Sequence, residues 1–178
     1  MNKGIWISVA VVVIAVVVFG LTMNKKEETA TMAPVTPAAV EPTANAWPSQ
    51  QKAFLDANGK KPGWTTTASG LQYQVLKAGD PAAPKPAPGS EVTVHYEGKL
   101  IDGSVFDSSI ARNEPATFPL NGVIQGWGEG VPLMRVGDTY EFAIPANLAY
   151  GQRAVSTIPA GSTLIFKIEL LKAMTPAP

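Results

Sequence analysis

Residues 120–131 constrain the fold of this chain more than any other stretch of it. Three glycines stand at alternate positions between Gly126 and Gly130, and each costs a helix about 1 kcal/mol relative to alanine. Val123, Ile124 and Trp127 nevertheless have the spacing of one face of a helical turn. Because such a turn is stable only when tertiary contacts hold it, we expect a sheet to wrap around it. Trp127 is then either the floor of an apolar pocket or an ordinary core residue.

Two segments alternate apolar and polar residues in the way that is typical of half-buried strands. In Glu91–Leu100 the apolar set is Val92, Val94 and Tyr96; in Ser162–Lys172 it is Leu164, Phe166, Ile168 and Leu170. A shorter strand is indicated at 71–75, where the apolar Leu71, Tyr73 and Val75 alternate with Gln72 and Gln74. Others are indicated at 137–144 and, as an edge segment containing Pro119, at 117–120. About four or five antiparallel strands with one or two short helices predict an α+β domain.

The amino-terminal residues 1–23 predict a membrane segment. Ile5 to Met23 is a run of 19 residues without a formal charge, close to the roughly 20 that a helix needs to cross a bilayer. A cleaved signal peptide has a shorter apolar core of about 7–15 residues. We therefore expect an uncleaved, single-pass signal-anchor, with removal of the segment as the alternative. Lysines on both sides leave its orientation undecided.

A tether is predicted for residues 24–46, which are rich in Pro, Ala and Thr and cannot form an apolar face. As a disordered chain it would span roughly 25 Å. A short helix is predicted at Ser49–Asn58, with Ser49 as its amino-terminal cap and Gly59 as its stop.

Composition excludes several classes of function. The 14 basic and 14 acidic residues balance, which argues against nucleic-acid binding. With no cysteine and His95 as the one histidine, we expect no transition-metal site. His95 shares the polar face of its predicted strand, and neither a phosphate-binding loop nor a dinucleotide fingerprint is present, so we expect no cofactor.

Six aromatic residues and one carboxylate are the remaining candidates for a site. The rings are Tyr96, Phe106, Phe118, Trp127, Tyr150 and Phe166, and the carboxylate, expected to be buried among them, is Asp107. Core packing is the alternative for each ring, and a turn or capping position is the alternative for Asp107.

At these residues the chain resembles the FKBP-type peptidyl-prolyl cis–trans isomerases, in particular the bacterial macrophage-infectivity-potentiator branch. The matching motifs are Val94-His95-Tyr96-x-Gly98, Asp102-Gly103-x-x-Phe106-Asp107-Ser108-Ser109, Gly122-Val123-Ile124-x-Gly126-Trp127-x-Glu129-Gly130, Leu148-Ala149-Tyr150-Gly151, Ile158-Pro159, Leu164-Ile165-Phe166 and Glu169-Leu170-Leu171. The resemblance covers 64–172, which leaves 47–63 as a helix with a lead-in and 173–178 as a flexible tail.

The resemblance implies a twisted antiparallel sheet of about five strands curled around a short helix, with a prolyl pocket between them. It implies catalytic roles for Asp107, Tyr150, Phe166 and Tyr96, and substrate binding by Phe106, Phe118, Val123, Ile124 and Trp127. The backbone N–H of Ile124 and the hydroxyl of Tyr150 would hold substrate carbonyls, and macrolides would be candidate ligands of the pocket.

The expected activity is acceleration of X–Pro bond rotation in exported or membrane protein clients. A non-catalytic FKBP-like module that holds clients is the alternative, and a membrane-tethered scaffold for one partner is a third. The expected location is the inner, cytoplasmic membrane with the domain on the periplasmic side, or the periplasm if residues 1–23 are removed.

Overall fold

A computed structural model describes residues 46–174 of the chain as two helices and one seven-stranded antiparallel sheet. The elements in chain order are α1 (Ala46–Asn58), β1 (Trp64–Thr66), β2 (Gln72–Lys77), β3 (Glu91–Lys99), β4 (Val105–Ser108), β5 (Ala116–Pro119), α2 (Gln125–Gly130), β6 (Thr139–Ile144) and β7 (Leu164–Met174). Short 3₁₀ turns at Val131–Leu133 and Ala146–Leu148 follow α2 and β6.

The strands lie in the order β1-β2-β6-β7-β3-β4, and β5 also pairs with β3. One edge of β3 is therefore shared: its first half pairs with β5 and its second half with β4. The α+β class is confirmed, but the expected count of about five strands is too low. β1 has only three residues, too few for an alternating pattern to be recognised.

The alternation predicted for the two long strands is confirmed. Val92, Val94 and Tyr96 of β3 are buried, while the residues between them are partly exposed. In β7 the buried set is Leu164, Phe166, Ile168 and Leu170. These residues form the inner face of the sheet, which bounds the hydrophobic core. This burial pattern can be recognised in the sequence because successive side chains of a strand point to opposite faces of the sheet.

β2 departs from its predicted pattern. Gln72 was expected to face solvent but is buried, and Val75 was expected to be covered but is 45% exposed. Gln72 is buried because α1 packs against its side of the sheet, the outer face. The amide of Gln72 accepts a hydrogen bond from Asn58 Nδ2 (3.0 Å) and donates one to the carbonyl of Leu55 (2.8 Å).

α1 begins at Ala46, three residues before the predicted start, so Ser49 lies inside the helix and not at its cap. Ala46 was also assigned to the tether. Hydrogen bonds hold the helix to the sheet end: the Thr163 N–H donates to Gln51 Oε1 (2.8 Å) and Trp47 Nε1 donates to the carbonyl of Ala160 (3.0 Å).

α2 packs on the inner face of the sheet because its glycines permit close approach. A Cβ at Gly126 would lie 2.4 Å from Ile144 Cγ2, and a Cβ at Gly130 would lie 2.6 Å from Phe142 Cε1. The expectation that Val123 and Ile124 share a helical face with Trp127 is wrong. Both precede the helix, and Ile124 has the extended conformation φ −59°, ψ 150°.

Several predictions fall wholly or partly outside the described residues. The signal-anchor at 1–23, the tether up to residue 45 and the tail from residue 175 lie there. β7 continues to Met174, so the first two residues of the predicted flexible tail belong to a strand. Between residues 46 and 174, the helices are too short and too polar to cross a bilayer.

Candidate active site

A cavity of about 700 Å³ opens between α2, the inner face of the sheet and the loop after β6. Every residue predicted for the site lines it: Tyr96, Phe106, Asp107, Phe118, Val123, Ile124, Trp127, Tyr150 and Phe166. Its volume lies in the range of about 300–1,000 Å³ that is common for small-molecule sites. The fold thus brings residues from four strands, one helix and two loops to a single cavity.

Trp127 stands at the floor of this cavity and is only 5% exposed. The centroid of its ring lies 5.2 Å from Phe166, 5.4 Å from Tyr96 and 5.7 Å from Phe118, each in a near-perpendicular arrangement. Edge-to-face contacts of this kind are favourable for aromatic rings. Trp127 therefore belongs to the core and also lines the pocket.

Gly98 gives the rings on the pocket wall their space, although only its motif was noted in the sequence. It lies in the second half of β3, and a Cβ there would come within 2.6 Å of the Phe106 ring and 2.8 Å of Phe166. The rings of Phe106 and Phe166 meet edge-to-face at 5.5 Å across this position. A side chain at residue 98 would displace one of them from the cavity.

Three polar side chains form a network at the mouth of the pocket. Tyr96 Oη donates to Asp107 Oδ2, Arg112 Nη1 donates to Asp107 Oδ1 (2.5 Å), and Arg112 Nη2 donates to Tyr96 Oη (3.2 Å). The antiparallel pairing of β3 with β4, in which Gly98 is the partner of Asp107, places Tyr96 near that carboxylate. Arg112 follows β4 in a turn, and the sequence reasoning missed it.

Asp107 is less buried than the sequence suggested, since its side chain is 41% exposed. Burial acts to raise the pKa of Asp107, but the hydrogen bonds from Tyr96 and Arg112 and the Arg112 charge outweigh it. The net result is a pKa below the usual value. Asp107 is accordingly an ionised, ion-paired group at neutral pH.

Tyr96 remains a hydrogen-bond donor. Burial raises the pKa of its phenol, and the hydrogen bond to Asp107 raises it further. A phenol with a raised pKa keeps its proton at neutral pH, so the network consists of a neutral donor, a carboxylate and a guanidinium. It can orient a polar group at the pocket mouth but offers no activated nucleophile.

Two hydrogen-bond donors of the pocket have no acceptor among residues 46–174. One is the backbone N–H of Ile124, which precedes the first turn of α2, and the other is the hydroxyl of Tyr150, beside the 3₁₀ turn after β6. The buried Nε1 of Trp127 also lacks a partner there. Ile124 and Tyr150 are half-buried and Trp127 is buried, so the pocket offers three donors to acceptors that enter it, such as peptide carbonyls.

The outer wall of the pocket was only partly anticipated. It consists of the loop 149–158, where Val155 and Ile158 exchange two backbone hydrogen bonds of 3.0 Å and 2.9 Å. Ile158 is buried, whereas Arg153 to Thr157 are exposed. The Ile158-Pro159 motif pointed to this segment, but loop residues carry no periodicity that would have assigned the others to a pocket.

His95 lies away from the cavity. It is on the outer face of β3, and its Nδ1 is 3.2 Å from the hydroxyl of Ser109. The part of the chain that the structure describes contains no group of three or more His, Cys, Asp or Glu side chains arranged to hold a metal ion.

Comparison with known families matches most of the chain. Residues 83–171 match the family described as "FKBP-type peptidyl-prolyl cis-trans isomerase", and residues 20–75 match the "Domain amino terminal to FKBP-type peptidyl-prolyl isomerase".

Individual relatives agree with this match. The FKBP-type peptidyl-prolyl cis-trans isomerase FkpA of Aeromonas hydrophila is 54% identical over 124 residues, which are 70% of this chain and 46% of that protein. The outer membrane protein MIP of Legionella longbeachae is 51% identical over 120 residues, which are 67% of this chain and 51% of that protein. The chain thus spans about half the length of these curated relatives.

One solved structure is matched by this chain along nearly the whole length of the solved protein. The crystal structure of a peptidyl-prolyl cis-trans isomerase from Pseudomonas syringae pv. tomato superposes with a TM-score of 0.68 at 32% identity. The aligned region covers 74% of this chain and 96% of that one.

Proposed function

This chain belongs to the family of FKBP-type peptidyl-prolyl cis–trans isomerases, and on that premise we propose that it accelerates rotation about X–Pro peptide bonds in polypeptide clients. The single observation that carries the proposal is the ring-lined cavity over Trp127. We assign the activity to a domain of residues 64–172, to which Ala173 and Met174 add the end of β7.

The reaction needs no bond to be made or broken. Rotation about a peptide bond costs about 18–20 kcal/mol because amide resonance is lost. The planar amide is more charge-separated than the twisted one, so a cavity that excludes water disfavours the planar state relative to the twisted state. Trp127 and Phe166, which are each 5% exposed, supply the apolar floor on which a proline ring would sit.

The polar groups would hold the client in the twisted geometry. The free N–H of Ile124 and the hydroxyl of Tyr150 are donors for the carbonyls that flank the proline. Asp107, fixed by Tyr96 and Arg112, would orient the site around the carbonyl that turns. Holding these groups in place before the client binds avoids reorganisation during rotation.

The test is the rate of cis–trans exchange in a proline tetrapeptide with the full-length chain in detergent. We expect Tyr150→Phe and Asp107→Asn to lower kcat/KM by about two- to tenfold each, the effect of one lost hydrogen bond. Lys167→Gln is the control, because Lys167 is exposed on the outer face of β7.

Phe166→Ala would be a poor test, because Phe166 is buried and its loss would also destabilise the fold. If the wild-type chain binds the tetrapeptide but leaves its exchange rate at the uncatalysed value, the protein is a client-binding module and the proposed activity is wrong.

Macrolides are the proposed small-molecule ligands, since the pocket is large and lined by rings. Ala116, where the family resemblance implies a second aromatic residue in many members, packs against the core and does not line the cavity. Competitive inhibition of exchange by a macrolide would support the proposal.

We place the domain outside the cytoplasm, with exported or membrane proteins as clients. Residues 1–23 would anchor the chain in the inner membrane, and the Pro-rich segment from residue 24 would hold the domain clear of it. One relative is named an outer membrane protein. Protease that cleaves the domain only after the outer membrane is opened would support a periplasmic location. A mature chain starting after residue 23 would contradict the anchor and favour the free periplasmic form.

A further inference from the structure

Helix α2 carries one charged residue, Glu129, and both oxygens of its carboxylate are bound. Thr67 Oγ1 donates to Oε1 (2.7 Å), and Ser69 Oγ lies within bonding distance of Oε1 (2.8 Å) and Oε2 (2.7 Å). Thr67 and Ser69 belong to the turn between β1 and β2. Between residues 46 and 174, these are the side-chain hydrogen bonds that tie α2 to another element.

The turn that holds Glu129 is itself fixed to the core. The N–H of Thr67 donates to the carbonyl of Leu71 (2.8 Å), and the N–H of Gly70 donates to the carbonyl of Thr67 (3.0 Å). Gly70 has a φ of +91°, which a glycine adopts without strain. Leu71 is fully buried. The position of the two hydroxyls is therefore set by the core and not by α2.

Glu129 and Trp127 point to nearly opposite sides of α2, because two residues turn about 200° around a helix. Trp127 faces the pocket and Glu129 faces the turn between β1 and β2. The helix also contacts the sheet through Gly126 and Gly130. Apolar contacts of that kind have no direction, so they do not by themselves fix the rotation of the helix about its axis. The hydrogen bonds of Glu129 do.

The first turn of α2 joins the helix to a donor of the pocket. The carbonyl of Ile124 accepts hydrogen bonds from the N–H of Trp127 (3.0 Å) and the N–H of Gly128 (3.1 Å). The N–H of the same residue is the donor that would hold a client carbonyl. A rotation of α2 would thus move the pocket floor and this donor together.

Helix propensity does not account for a glutamate at residue 129. The helix dipole disfavours a carboxylate in the last turn of a helix, and Glu129 is the last residue but one of α2. The three glycines weaken the helix further, so contacts with the rest of the fold have to orient it.

We propose that Glu129 is a positioning residue for the isomerase reaction, held by the hydroxyls of Thr67 and Ser69. It fixes the rotation of α2 and with it the geometry of the pocket floor and of the donor at Ile124. The inference rests on the proposed function, because it names a further residue on which that reaction depends. A misplacement of about 1 Å can cost a reaction up to about 100-fold in rate.

The experiment measures kcat and KM for a proline tetrapeptide with the full-length chain in detergent. Glu129→Ala should lower kcat by about three- to tenfold and change KM by less than about twofold, since orientation and not binding is lost. Thr67→Val with Ser69→Ala should give the same fall. All three substitutions together should give no further fall, because they remove one shared contact.

Matched variants separate this role from a loss of stability. Glu129→Gln keeps an acceptor and the shape of the side chain, so its kcat should lie within about twofold of the wild type. Thr65→Val removes a hydroxyl from an exposed position of β1 and should leave kcat unchanged. Asn58→Ala breaks a buried hydrogen bond on the outer face and should also leave kcat unchanged.

Ser69→Ala keeps the test open if Glu129→Ala does not fold. Ser69 is exposed, so its truncation leaves the core intact, and we expect kcat to fall by about twofold. An unchanged kcat in folded Glu129→Ala, or in Ser69→Ala should the former not fold, would overturn the inference and leave the activity standing. A rise in KM alone, or additive effects of the two sides of the contact, would overturn it as well.

A readout that does not depend on activity separates this inference from the proposed function. If the wild type isomerises no peptide, the activity fails, and NMR of the indole N–H of Trp127 and the amide N–H of Ile124 decides the inference. Both signals should shift in Glu129→Ala, or in Ser69→Ala, and return in Glu129→Gln. Signals that stay at their wild-type positions would refute it.

Discussion

The two faces of the sheet are covered in chemically different ways. The inner face meets α2 through rings and aliphatic side chains, with Trp127, Tyr96 and Phe166 in edge-to-face contact. The outer face meets α1 largely through amides, including the bond from Asn58 to Gln72.

The difference has a consequence for where a site can form. Buried amides need partners with correct geometry, and those of Asn58 and Gln72 have them, although Gln51 Nε2 has none among the described residues. The contact with α1 therefore leaves little freedom. Rings pack without directional partners, and a layer of rings can border a water-poor cavity. The inner face therefore carries the pocket and the outer face contributes stability. If this division is correct, substitutions on the two faces should separate loss of activity from loss of stability.

The strongest test of the inner face is a pair of glycine substitutions in α2. Gly126→Ala should lower the free energy of unfolding by about 1–3 kcal/mol, because its Cβ would lie 2.4 Å from Ile144. Gly128→Ala, whose Cβ has only the Leu120 carbonyl oxygen at 3.4 Å, should instead raise it by up to about 1 kcal/mol. Denaturant unfolding measures both, and effects of the same sign would contradict the packing described for α2.

On the outer face, Asn58→Ala should destabilise the protein without changing its rate of catalysis. The substitution leaves the buried amide oxygen of Gln72 without its donor, which costs about 1–3 kcal/mol. Lys52→Ala on the exposed side of the same helix is the matched control, because its ion pair with Asp56 is open to solvent. A fall in kcat/KM for Asn58→Ala at a temperature where this variant is fully folded would contradict the claim that the outer face contributes only stability.

The smallest expected effect concerns the network at the pocket mouth. The folded-state pKa of Asp107 is lowered, so its ion pair stabilises the protein above the unfolded pKa of about 3.9. This stabilisation is lost as pH falls through the folded pKa. Because the side chain is 41% exposed, we expect less than about 1 kcal/mol.

The measurement is unfolding of the wild type and Asp107→Asn from about pH 6 to about pH 3. The stability advantage of the wild type should shrink toward the acid end. An advantage that grew on acidification would mean that the pKa of Asp107 is raised, as expected of a buried and unpaired carboxylate.

Much of the inner face could be predicted from the sequence. Val92, Val94 and Tyr96 stand at alternate positions in β3, and Leu164 to Leu170 do so in β7. One-sided burial imposes this period of two. Tyr96 and Phe166 were found in the same way, whereas the other pocket rings were assigned through the family resemblance of their motifs.

The outer face and the loops were harder to predict. Gln72 was expected to be exposed on the outer face, but α1 covers it there through a partner 14 residues away in sequence. Val123 and Ile124 were assigned to a helical face, although the helix begins only at Gln125. Arg112 and Arg153 lie in irregular segments, where no period indicates which way a side chain points.

By itself the sequence determined which faces of the strands are apolar, that the segment 120–131 must pack in order to be ordered, and which rings are available for a pocket. These are properties of the local sequence pattern, because the hydrophobic effect favours burial of apolar residues whatever element covers them. Only the tertiary structure decided that Asp107 is ion-paired, that Arg153 lines the pocket, and that Gly98 makes room for two rings. Those facts depend on distances of a few ångströms between residues from different elements, and one sequence does not encode such distances in a form that can be read locally.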